Sequence, residues 1–511
     1  MEILVRSEGK KQRVAAISGD TVLDTLRDAG IKIEAACGGQ GTCGKCRVMV
    51  RDSKGVGYRL ACQTPVEQNM EVTIEASRPM SVATAGSTHQ WPADGGGWGY
   101  GVAIDVGTTT LVCRLYNLET GELLGALGNS NPQVIFGADV ISRIHAASEG
   151  HLHQMATLLG DELVGMVAKL VHAAHLTFND IQTVCIAGNT VMEHIAIGLD
   201  PAPIGVAPFT PASYFGDEIE YLALAEEDIA AGSAYFAPCL SGYVGGDITC
   251  GLVARDIIHR EKKTLFMDLG TNGEMALGNK DGIVTCATAA GPVFEGANIK
   301  YGMPAYAGAI SRVRYVNGEL VCETIENESA AGICGTGLID ALSLMFECGI
   351  VDETGRMLEE DEIDTSRSKG LERYLGQEDG APCLQLAGGI SVTQRDIRNF
   401  QLAKAAIRAG ISTMLQSESL GLDDVDALEI AGGFGQYLDL PNAARTGLVP
   451  PELLSRTKCV GNSAIEGVSA ILLSDSADEA LELTMETASY IELSGNETFN
   501  KLYVESMGFG D

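Results

Sequence analysis

The sequence predicts an α/β protein in which a small amino-terminal domain precedes a larger region of two similar lobes. Three observations lead to this prediction. Four of the 14 cysteines lie within the first 62 residues, a stretch rich in Pro, Gly, Ser and Thr occupies residues 76–100, and two similar strand–turn–strand patterns follow at residues 102–111 and 265–277. Strand patterns interleaved with helical segments favour an α/β fold, and the repeated pattern indicates duplicated halves.

The composition restricts the classes of function. With 511 residues the chain can form two or three domains, and its 45% hydrophobic residues and 62 glycines are typical of a loop-rich α/β protein. The net charge of −33 argues against nucleic acid or an anionic membrane as a partner. The longest apolar runs, such as residues 468–473, fall short of the roughly 20 residues of a membrane helix, and the first residues lack a signal-peptide core. We therefore expect a cytoplasmic protein that binds neither nucleic acid nor membranes.

The first 75 residues show the pattern of a small mixed domain. Residues 1–5 and 11–17 predict a hairpin, and Asp20 is expected to cap a short helix over residues 21–29. Residues 47–51 and 70–75 are expected to form the closing strands.

Four clustered cysteines carry the chemistry of this domain: Cys37, Cys43, Cys46 and Cys62. Their spacing is C-x5-C-x2-C, followed by the fourth cysteine after 15 intervening residues. Four thiolates can ligate two irons, and the loop glycines let backbone N–H groups approach the sulfides. A structural zinc site usually shows two CxxC pairs and only one occurs here, while a disulfide pair does not suit a cytoplasmic chain. The pattern favours a [2Fe–2S] cluster over both.

The segment at residues 77–100 has no apolar periodicity and is expected to be a flexible linker. A flexible chain of this length would let the first domain move by about 25–30 Å.

Each repeated strand pattern contains Asp-x-Gly-Thr, with Asp105 in the first copy and Asp268 in the second, 163 residues later. An aspartate at a strand end can hold Mg²⁺ through water, and the Gly–Thr turn offers donors to phosphate. Two such turns indicate two halves that close on one nucleotide. The candidate phosphate-binding residues are Gly107, Thr108, Thr109, Gly270, Thr271 and Asn272.

Further glycine-rich turns occur in the expected order. A helix within residues 241–257 begins through Gly245 and Gly246, and the turn Gly335–Thr336–Gly337 opens a helix whose N-terminus suits an anion. A buried strand near residue 430 precedes Gly432, Gly433 and Gly435, and residues 461–473 predict another helix. Glycine turns also connect strands to helices in any α/β protein, so it is the combination that indicates a nucleotide site.

These motifs resemble two known groups of proteins. The cysteine loop is similar to vertebrate-type [2Fe–2S] ferredoxins, which implies a β-grasp-like domain, although the stretch from Cys46 to Cys62 is short. The remainder resembles the superfamily of acetate and sugar kinases, heat-shock chaperones and actin, which implies a two-lobed, duplicated ribonuclease H-like ATPase domain. In that resemblance Asp105 and Asp268 bind Mg²⁺ through water, Asp247 orients the attacking water, and Gly432, Gly433 and Gly435 contact adenine and ribose.

The resulting domain prediction has five parts. We expect a ferredoxin domain at 1–76, a flexible linker at 77–100, ATPase lobe I at 101–262, lobe II at 263–435, and a C-terminal segment with the second connecting helix at 436–511.

The combination of ferredoxin and ATPase resembles the reductive activators of corrinoid-dependent methyltransferase systems. Residues 131–144, 185–195, 391–411 and 490–509 support this resemblance. It implies that ATP hydrolysis drives one electron from the [2Fe–2S] cluster onto a corrinoid protein, converting inactive Co(II) to Co(I). It also implies an upstream low-potential electron donor and a homodimer formed through the ATPase domain. The chain departs from some relatives in having no cysteine after Cys459 and no extra domain between ferredoxin and ATPase.

Three alternative functions remain open at this stage. The fold could phosphorylate a small molecule, with the cluster sensing redox state, and a phosphorylated product would distinguish that case. It could be an ATP-switched scaffold without electron transfer. It could also activate a radical acyl-CoA dehydratase, although those relatives hold a [4Fe–4S] cluster that this cysteine pattern does not indicate.

Overall fold

The computed structural model describes residues 2–7, 10–31, 33, 35, 39, 41, 46–67, 70–74, 84–433 and 438–510. No helix in these residues is both long enough and apolar enough to cross a membrane.

The amino-terminal domain is a five-stranded sheet with one helix. Its elements are β1 Glu2–Ser7, β2 Lys10–Ala15, α1 Val22–Asp28, β3 Arg47–Asp52, β4 Gly55–Leu60 and β5 Glu71–Ile74. The strand order is β2-β1-β5-β3-β4, and β1 pairs parallel to β5 but antiparallel to β2. This mixed sheet with its helix confirms the β-grasp-like prediction. Strand β4 was not predicted, because residues Gly55–Leu60 do not alternate between buried and exposed side chains.

Thr21, and not Asp20, caps the first helix. The Thr21 hydroxyl accepts a hydrogen bond from the Asp24 N–H (3.2 Å), and the Asp24 carboxylate accepts one from the Thr21 N–H (3.1 Å). This reciprocal capping box satisfies two backbone donors that the helix itself leaves unpaired. The prediction for Asp20 was therefore wrong by one residue.

Lobe I contains a six-stranded sheet and five helices. Its elements are β6 Tyr100–Val106, β7 Thr110–Asn117, β8 Leu123–Ser130, α2 Val140–Ala146, α3 Leu152–Ala173, β9 Ile181–Gly188, α4 Thr190–Ala196, β10 Glu218–Glu220, α5 Leu222–Ala225, β11 Ser233–Phe236 and α6 Gly246–Ala254. The strand order is β10-β11-β9-β6-β7-β8. Strands β6, β7 and β8 form an antiparallel meander, and β9 and β11 add to β6 in parallel.

Lobe II repeats this arrangement. Its elements are β12 Thr264–Leu269, β13 Gly273–Asn279, β14 Gly282–Thr288, β15 Ala309–Val316, β16 Glu319–Thr324, β17 Gly332–Ile333, α7 Gly335–Glu347, α8 Thr365–Ser368, β18 Leu375–Glu378, β19 Ala381–Gln385, β20 Ser391–Thr393, α9 Gln394–Ser417, β21 Ala427–Ala431, α10 Leu440–Arg445, β22 Thr457–Gly461, α11 Ser463–Leu473, α12 Asp475–Thr487, β23 Ala488–Tyr490 and α13 Glu497–Glu505. The main sheet has the order β22-β21-β12-β13-β14-β23. An antiparallel meander followed by two parallel strands occurs in both lobes, which confirms the predicted duplication.

The predicted boundary at residue 435 divides the second sheet. Strands β22 and β23 lie beyond it, and both pair with strands that precede it. Helix α11, which begins at Ser463, packs against α6 and against the sheet of lobe I. A Cβ atom at Gly467 would collide with the Cys250 carbonyl, so glycine permits the close crossing of these two helices. The C-terminal residues therefore complete lobe II and link it to lobe I.

Residues 84–99, here called the strap, were predicted as part of a flexible linker, and this prediction is wrong for them. The His89 N–H donates to the carbonyl of Ala254 (2.6 Å), and the Gly95 N–H donates to that of Leu473 (3.2 Å). These are the last carbonyls of α6 and α11, which the helices themselves leave unpaired. The strap thus caps both helices that join the lobes. Residues 77–83 of the predicted linker lie outside the described part of the chain.

The amino-terminal domain packs against lobe I. Its buried apolar residues form one continuous cluster with those of lobe I. The position of a Cβ on Gly30 lies 3.6 Å from Leu158 in α3, and the Gln154 side chain donates to the Arg27 carbonyl (2.8 Å). Apolar area removed from water at this interface favours the docked arrangement over a freely moving domain.

Candidate nucleotide and iron–sulfur sites

A cavity of about 200 Å³ lies between the two lobes, and both repeated turns line it. The residues predicted from sequence that line this cavity are Asp105, Gly107, Thr108, Thr109, Asp247, Asp268, Gly270, Thr271, Asn272, Gly335, Thr336, Gly432 and Gly433. Residues that are up to 328 positions apart in the chain therefore meet at one place, as the duplicated turns predict.

Two predicted glycines are not among the lining residues. Gly337 lies in α7, where a Cβ would collide with the Ile310 carbonyl, so its role is the close packing of α7 against β15. Gly435 lies outside the described residues, and its predicted contact with the nucleotide stays a prediction.

Asparagine side chains hold the first turn. Asp105 lies near the end of β6, and its carboxylate accepts a hydrogen bond from the Asn462 amide (2.7 Å). The Thr108 hydroxyl accepts one from Asn189 (2.9 Å), and the Gly107 carbonyl accepts one from Asn131 (2.9 Å). Three residues from separate parts of the chain therefore fix the turn that follows β6.

The second turn lies in a more acidic environment. Asp268, at the end of β12, lies directly opposite Glu274 of β13 in the antiparallel register. Gly432 has φ +92°, and a Cβ there would lie 2.8 Å from the Asp268 carboxylate. Only glycine fits this combination of conformation and space. The Gly-rich turn after β21 thus comes close to the second aspartate.

Buried carboxylates converge on the cavity, and their pKa values are raised. Burial raises the pKa of Asp105 to about 6. Burial and the nearby Asp105 carboxylate raise the pKa of Asp268 to about 7. Burial, with Asp268 and Asp105 nearby, raises the pKa of Asp247 to about 8. The described lining residues include no lysine, arginine or histidine, so a bound cation would stabilise these carboxylates when they ionise.

The geometry suits a hydrated Mg²⁺. In the described part of the chain, no three acidic, cysteine or histidine side chains already lie at ligand distance from one point. Mg²⁺ usually keeps several waters and binds through one or two carboxylates together with substrate phosphates. The arrangement therefore fits a metal that arrives with a nucleotide and contacts Asp105 and Asp268 through water.

Glu295 bridges the two turns and was missed by the sequence analysis. One of its carboxylate oxygens accepts hydrogen bonds from the hydroxyls of Thr109 (3.0 Å) and Thr271 (2.8 Å). These are the hydroxyls predicted to bind phosphate, so the Glu295 carboxylate occupies the position predicted for a phosphate oxygen. Glu295 follows β14 in an irregular segment, and no local pattern singles it out.

Three further polar residues of the cavity were also missed: Asn189, Glu274 and Asn462. The two asparagines share a signal that could have revealed them. Each follows the glycine that ends a parallel strand and precedes a hydroxyl residue that starts a helix, and each caps that helix. The Gly-Asn-Thr/Ser pattern therefore marks two strand–helix junctions that reach the cavity, although they follow different strands of the two sheets, the inner β9 and the outer β22.

Two of the four predicted cluster ligands lie in the described part of the chain. Cys46 and Cys62 are buried, not in a disulfide, and their sulfurs are 3.3 Å apart. A disulfide would need about 2.05 Å, whereas two thiolates that share one metal, each about 2.3 Å from it, come close to this separation. The pair therefore fits one iron of a [2Fe–2S] cluster. Cys37 and Cys43 lie outside the described residues.

Three family models match successive parts of the chain. Residues 5–67 match a model of the 2Fe-2S iron-sulfur cluster binding domain. Residues 100–260 match the RACo middle region, and residues 262–511 match the C-terminal domain of RACo, the ASKHA domain.

Two relatives match most of the chain. The chain is 33% identical over 423 residues to the corrinoid activation enzyme RamQ of Eubacterium limosum, which covers 81% of this chain and 70% of that protein. It is 23% identical over 458 residues to the [Co(II) methylated amine-specific corrinoid protein] reductase of Methanosarcina barkeri, covering 80% of this chain and 77% of that protein.

A solved structure shares the whole architecture. The reductive activator for corrinoid, iron-sulfur protein is 30% identical and superimposes with a TM-score of 0.71 over 100% of this chain and 98% of that one. This chain thus combines a cysteine-bearing ferredoxin domain with two duplicated lobes and an acidic cleft between them. The solved relative matches it over its whole length. The chain belongs to the family of reductive activators of corrinoid proteins, which join a 2Fe-2S domain to an ASKHA ATPase domain.

Proposed function

We propose that this protein uses ATP to transfer one electron from its [2Fe–2S] cluster to a corrinoid protein, which converts inactive Co(II) to Co(I). The observation that carries the proposal is one chain in which the cysteine domain is packed against the lobe that carries the first phosphate turn. ATP hydrolysis alone would need no cysteine loop, and downhill electron transfer would need no acidic, cation-requiring cleft.

The residues of the cleft have distinct proposed roles. Asp268 and Asp105 hold the hydrated Mg²⁺, which neutralises the charge that develops on the phosphates. Thr109 and Thr271 donate to phosphate oxygens in place of Glu295. Asp247, at the start of α6, orients the attacking water. In the bound site, Gly432 and Gly433 allow the nucleotide to approach the backbone.

The proposed use of ATP is energetically sufficient. Returning an electron to Co(II) is uphill from clusters near −400 mV, the value typical of plant-type ferredoxins. A two-state equilibrium shifted by about 5.5 kcal/mol corresponds to roughly 240 mV for one electron. Nucleotide-driven closure of the lobes therefore supplies enough free energy to favour the acceptor state of the cobalt or the donor state of the cluster.

The location and partners follow from the same proposal. Co(I) is oxidised readily, so the protein would act in an anaerobic cytoplasm beside its corrinoid protein. A low-potential electron donor must refill the cluster, since each transfer removes one electron. We also propose a homodimer formed through the ATPase domain, which sedimentation of the full chain would test.

The experiment follows the optical change from Co(II) to Co(I) under strict anoxia, with the corrinoid, iron–sulfur protein as the first partner. We expect the reduced protein to form Co(I) only with Mg-ATP. Cys46→Ala should still hydrolyse ATP yet reduce nothing, whereas Cys322→Ala, a cysteine in the β16 hairpin, should behave as wild type.

Two results would contradict the proposal. Equal reduction without ATP would show that the two activities are not coupled. A phosphorylated small molecule in place of free phosphate would identify the protein as a redox-sensing kinase.

A further inference from the structure

Arg27 lies where the cysteine domain meets lobe I. It belongs to the last turn of α1, and its side chain is only 10% exposed. Its Nε donates to the Ile135 carbonyl of lobe I (2.6 Å), and its guanidinium carbon lies 5.6 Å from the centre of the Phe136 ring. A buried arginine with a hydrogen bond and an aromatic contact across an interface is held in one geometry.

The other end of the Arg27 side chain reaches the cysteine loop. The position of a Cβ on Gly39 lies 3.7 Å from both terminal nitrogens of Arg27. Gly39 lies between Cys37 and Cys43 in the sequence. Beside it, Cys62 and Arg27 line a cavity of about 400 Å³ together with Glu149 and His151 of lobe I. The Arg27 guanidinium, with the Asp24 carboxylate of its own helix 3.7 Å away, therefore lies beside Gly39 where the cysteine domain meets lobe I.

The segment that accepts the Arg27 hydrogen bond is fastened to the first phosphate turn. Ile135 ends a short turn that begins after Asn131. The Asn131 side chain donates to the Gly107 carbonyl (2.9 Å), and the Asn131 N–H donates to the Thr109 carbonyl (2.8 Å). Gly107 and Thr109 line the nucleotide cavity. Asn131 thus donates to two carbonyls of the phosphate turn. It lies four residues before Ile135, which accepts the hydrogen bond from Arg27.

A second set of buried hydrogen bonds strengthens this connection. Arg143, fully buried in α2, donates to the Thr108 carbonyl (2.5 Å), to Gln133 Oε1 (3.1 Å) and to the Gly137 carbonyl (3.2 Å). If the phosphate turn moves, residues 131–137 must therefore either move with it or lose these hydrogen bonds. Buried hydrogen bonds are costly to leave unmade, so the segment is expected to follow the turn.

We propose that Arg27 is a positioning residue that couples nucleotide binding at the first phosphate turn to the electrostatic environment of the cysteine loop. The inference rests on the proposed function. Reduction adds one negative charge to the cluster, and a guanidinium beside the loop stabilises that reduced form. When nucleotide closes the lobes, residues 131–137 draw Arg27 away from Gly39. The cluster then gives up its electron more readily, and the corrinoid Co(II) that accepts it becomes Co(I).

The test is a potentiometric titration of the cluster in the full chain, with and without Mg²⁺ and a non-hydrolysable ATP analogue. In the wild type we expect the analogue to change the ratio of oxidised to reduced cluster at a fixed potential by about tenfold, which is ~59 mV for one electron. Arg27→Gln should abolish this shift. Arg27→Lys keeps the charge but lacks the planar fork, so it should retain the nucleotide-free potential and lose most of the shift.

Two further variants separate coupling from general effects. Arg13→Gln removes a positive charge from the same domain at a side chain that is 80% exposed, and it should keep the wild-type shift. Phe136→Leu alters only the lobe I side of the contact, so it leaves the cysteine loop untouched and should reduce the shift. If a variant at Arg27 fails to hold the cluster, Phe136→Leu decides the question.

A second readout does not depend on the cluster. Hydrogen exchange of the α1 amides should change on addition of the analogue in the wild type and stay unchanged in Arg27→Gln. The inference is overturned if the wild type shows no nucleotide-dependent shift, or if Arg27→Gln keeps the full shift. In either case Co(I) formation that still requires Mg-ATP would leave the proposed function standing, whereas Co(I) formation without ATP would remove that function instead.

Discussion

The two predicted phosphate turns have the same Asp-x-Gly-Thr sequence but different surroundings. Asp105 receives a hydrogen bond from Asn462, the cap of α11, whereas Asp268 faces Glu274 across the strand pair. The amide partly offsets the effect of burial, and the pKa of Asp105 is raised to about 6. Like charges nearby add to the effect of burial on Asp268, whose pKa is raised to about 7.

This difference indicates that the two copies of the motif have different roles. The first turn is hydrogen-bonded to the cap of α11, a helix that follows β22 of the lobe II sheet and packs on lobe I, so its position depends on how the lobes are arranged. The second turn is surrounded by carboxylates, so it depends on a cation. We infer that the first turn reports closure of the lobes and the second provides most of the affinity for Mg²⁺.

The largest expected effect comes from Asp268→Asn. Loss of the carboxylate proposed to hold the metal should lower Mg²⁺-dependent hydrolysis by on the order of 10²–10³-fold. Asp105→Asn should lower it less, because Asn462 already shares that carboxylate. Phosphate release at saturating Mg-ATP measures both.

The control for this variant is a measurement of the thermal stability of Asp268→Asn in the absence of metal. Because the variant removes one of several like charges, it should unfold at a higher temperature than wild type in chelator. Equal losses of activity in the two variants would show that the turns have not diverged.

Asp247→Asn should have the next largest effect. Asp247 lines the cavity at the start of α6 but belongs to neither turn, so it should act on the chemical step. We expect kcat for hydrolysis to fall by about 10–10²-fold with little change in the dissociation constant for Mg-ATP. A variant that binds Mg-ATP more weakly and turns over normally would place Asp247 among the metal-binding residues.

The sequence predicted the turns because their chemistry is local. Asp105 and Asp268 each lie within a few residues of the strand and glycine that define the motif. Glu295 could not be predicted, because it follows no local motif and reaches Thr109 of lobe I only when the two lobes meet. The Asp105–Asn462 contact spans 357 residues and likewise depends on tertiary structure.

The strap shows why the linker prediction was wrong. Its Gly, Ser and Thr residues have no apolar period, and from sequence they indicate a flexible chain. It is held instead by backbone groups, as when the Ser87 N–H donates to the Val460 carbonyl (2.7 Å) and the Gly86 N–H donates to Glu466 (2.7 Å). Backbone pairing leaves little trace in side-chain patterns, so only the fold reveals it.

The pH dependence of stability should report the acidic cleft. In the folded state Asp268 and Asp247 have raised pKa values of about 7 and about 8, above the unfolded value of about 3.9. The folded state therefore binds more protons between pH 4 and 8, and the free energy of unfolding falls as pH rises through this range.

Mg²⁺ should act in the opposite direction. It binds the ionised carboxylates, so it should stabilise the protein more at pH 8 than at pH 5, by more than about 1 kcal/mol. Denaturant titrations at the two pH values, with Mg²⁺ or chelator, measure this. Asp268→Asn should show a smaller difference, and an equal gain from Mg²⁺ at both pH values would contradict the role of these carboxylates.

Asn462→Ala should give the smallest effect, and it tests the first turn directly. The Asn462 side chain both caps α11, by accepting from the Ile465 N–H (3.1 Å), and donates to Asp105. Loss of the cap should lower stability by about 1 kcal/mol. Asn496→Ala is a matched control, because Asn496 caps α13 in the same way (3.0 Å to the Phe499 N–H) and is not among the residues that line the cleft.

The two variants should therefore lose similar stability but differ in nucleotide binding. Without its amide partner, Asp105 is free to turn away from its position in the cleft, and we expect the dissociation constant for Mg-ATP to rise about three- to tenfold in Asn462→Ala alone. Calorimetric titration of both variants measures this. If Asn496→Ala weakened Mg-ATP binding as much, the effect would come from general stability, and the first turn would have no special link to α11. If neither variant changed binding, the contact between Asn462 and Asp105 would serve the fold only, and the two turns would differ in charge but not in their connection to the moving lobes.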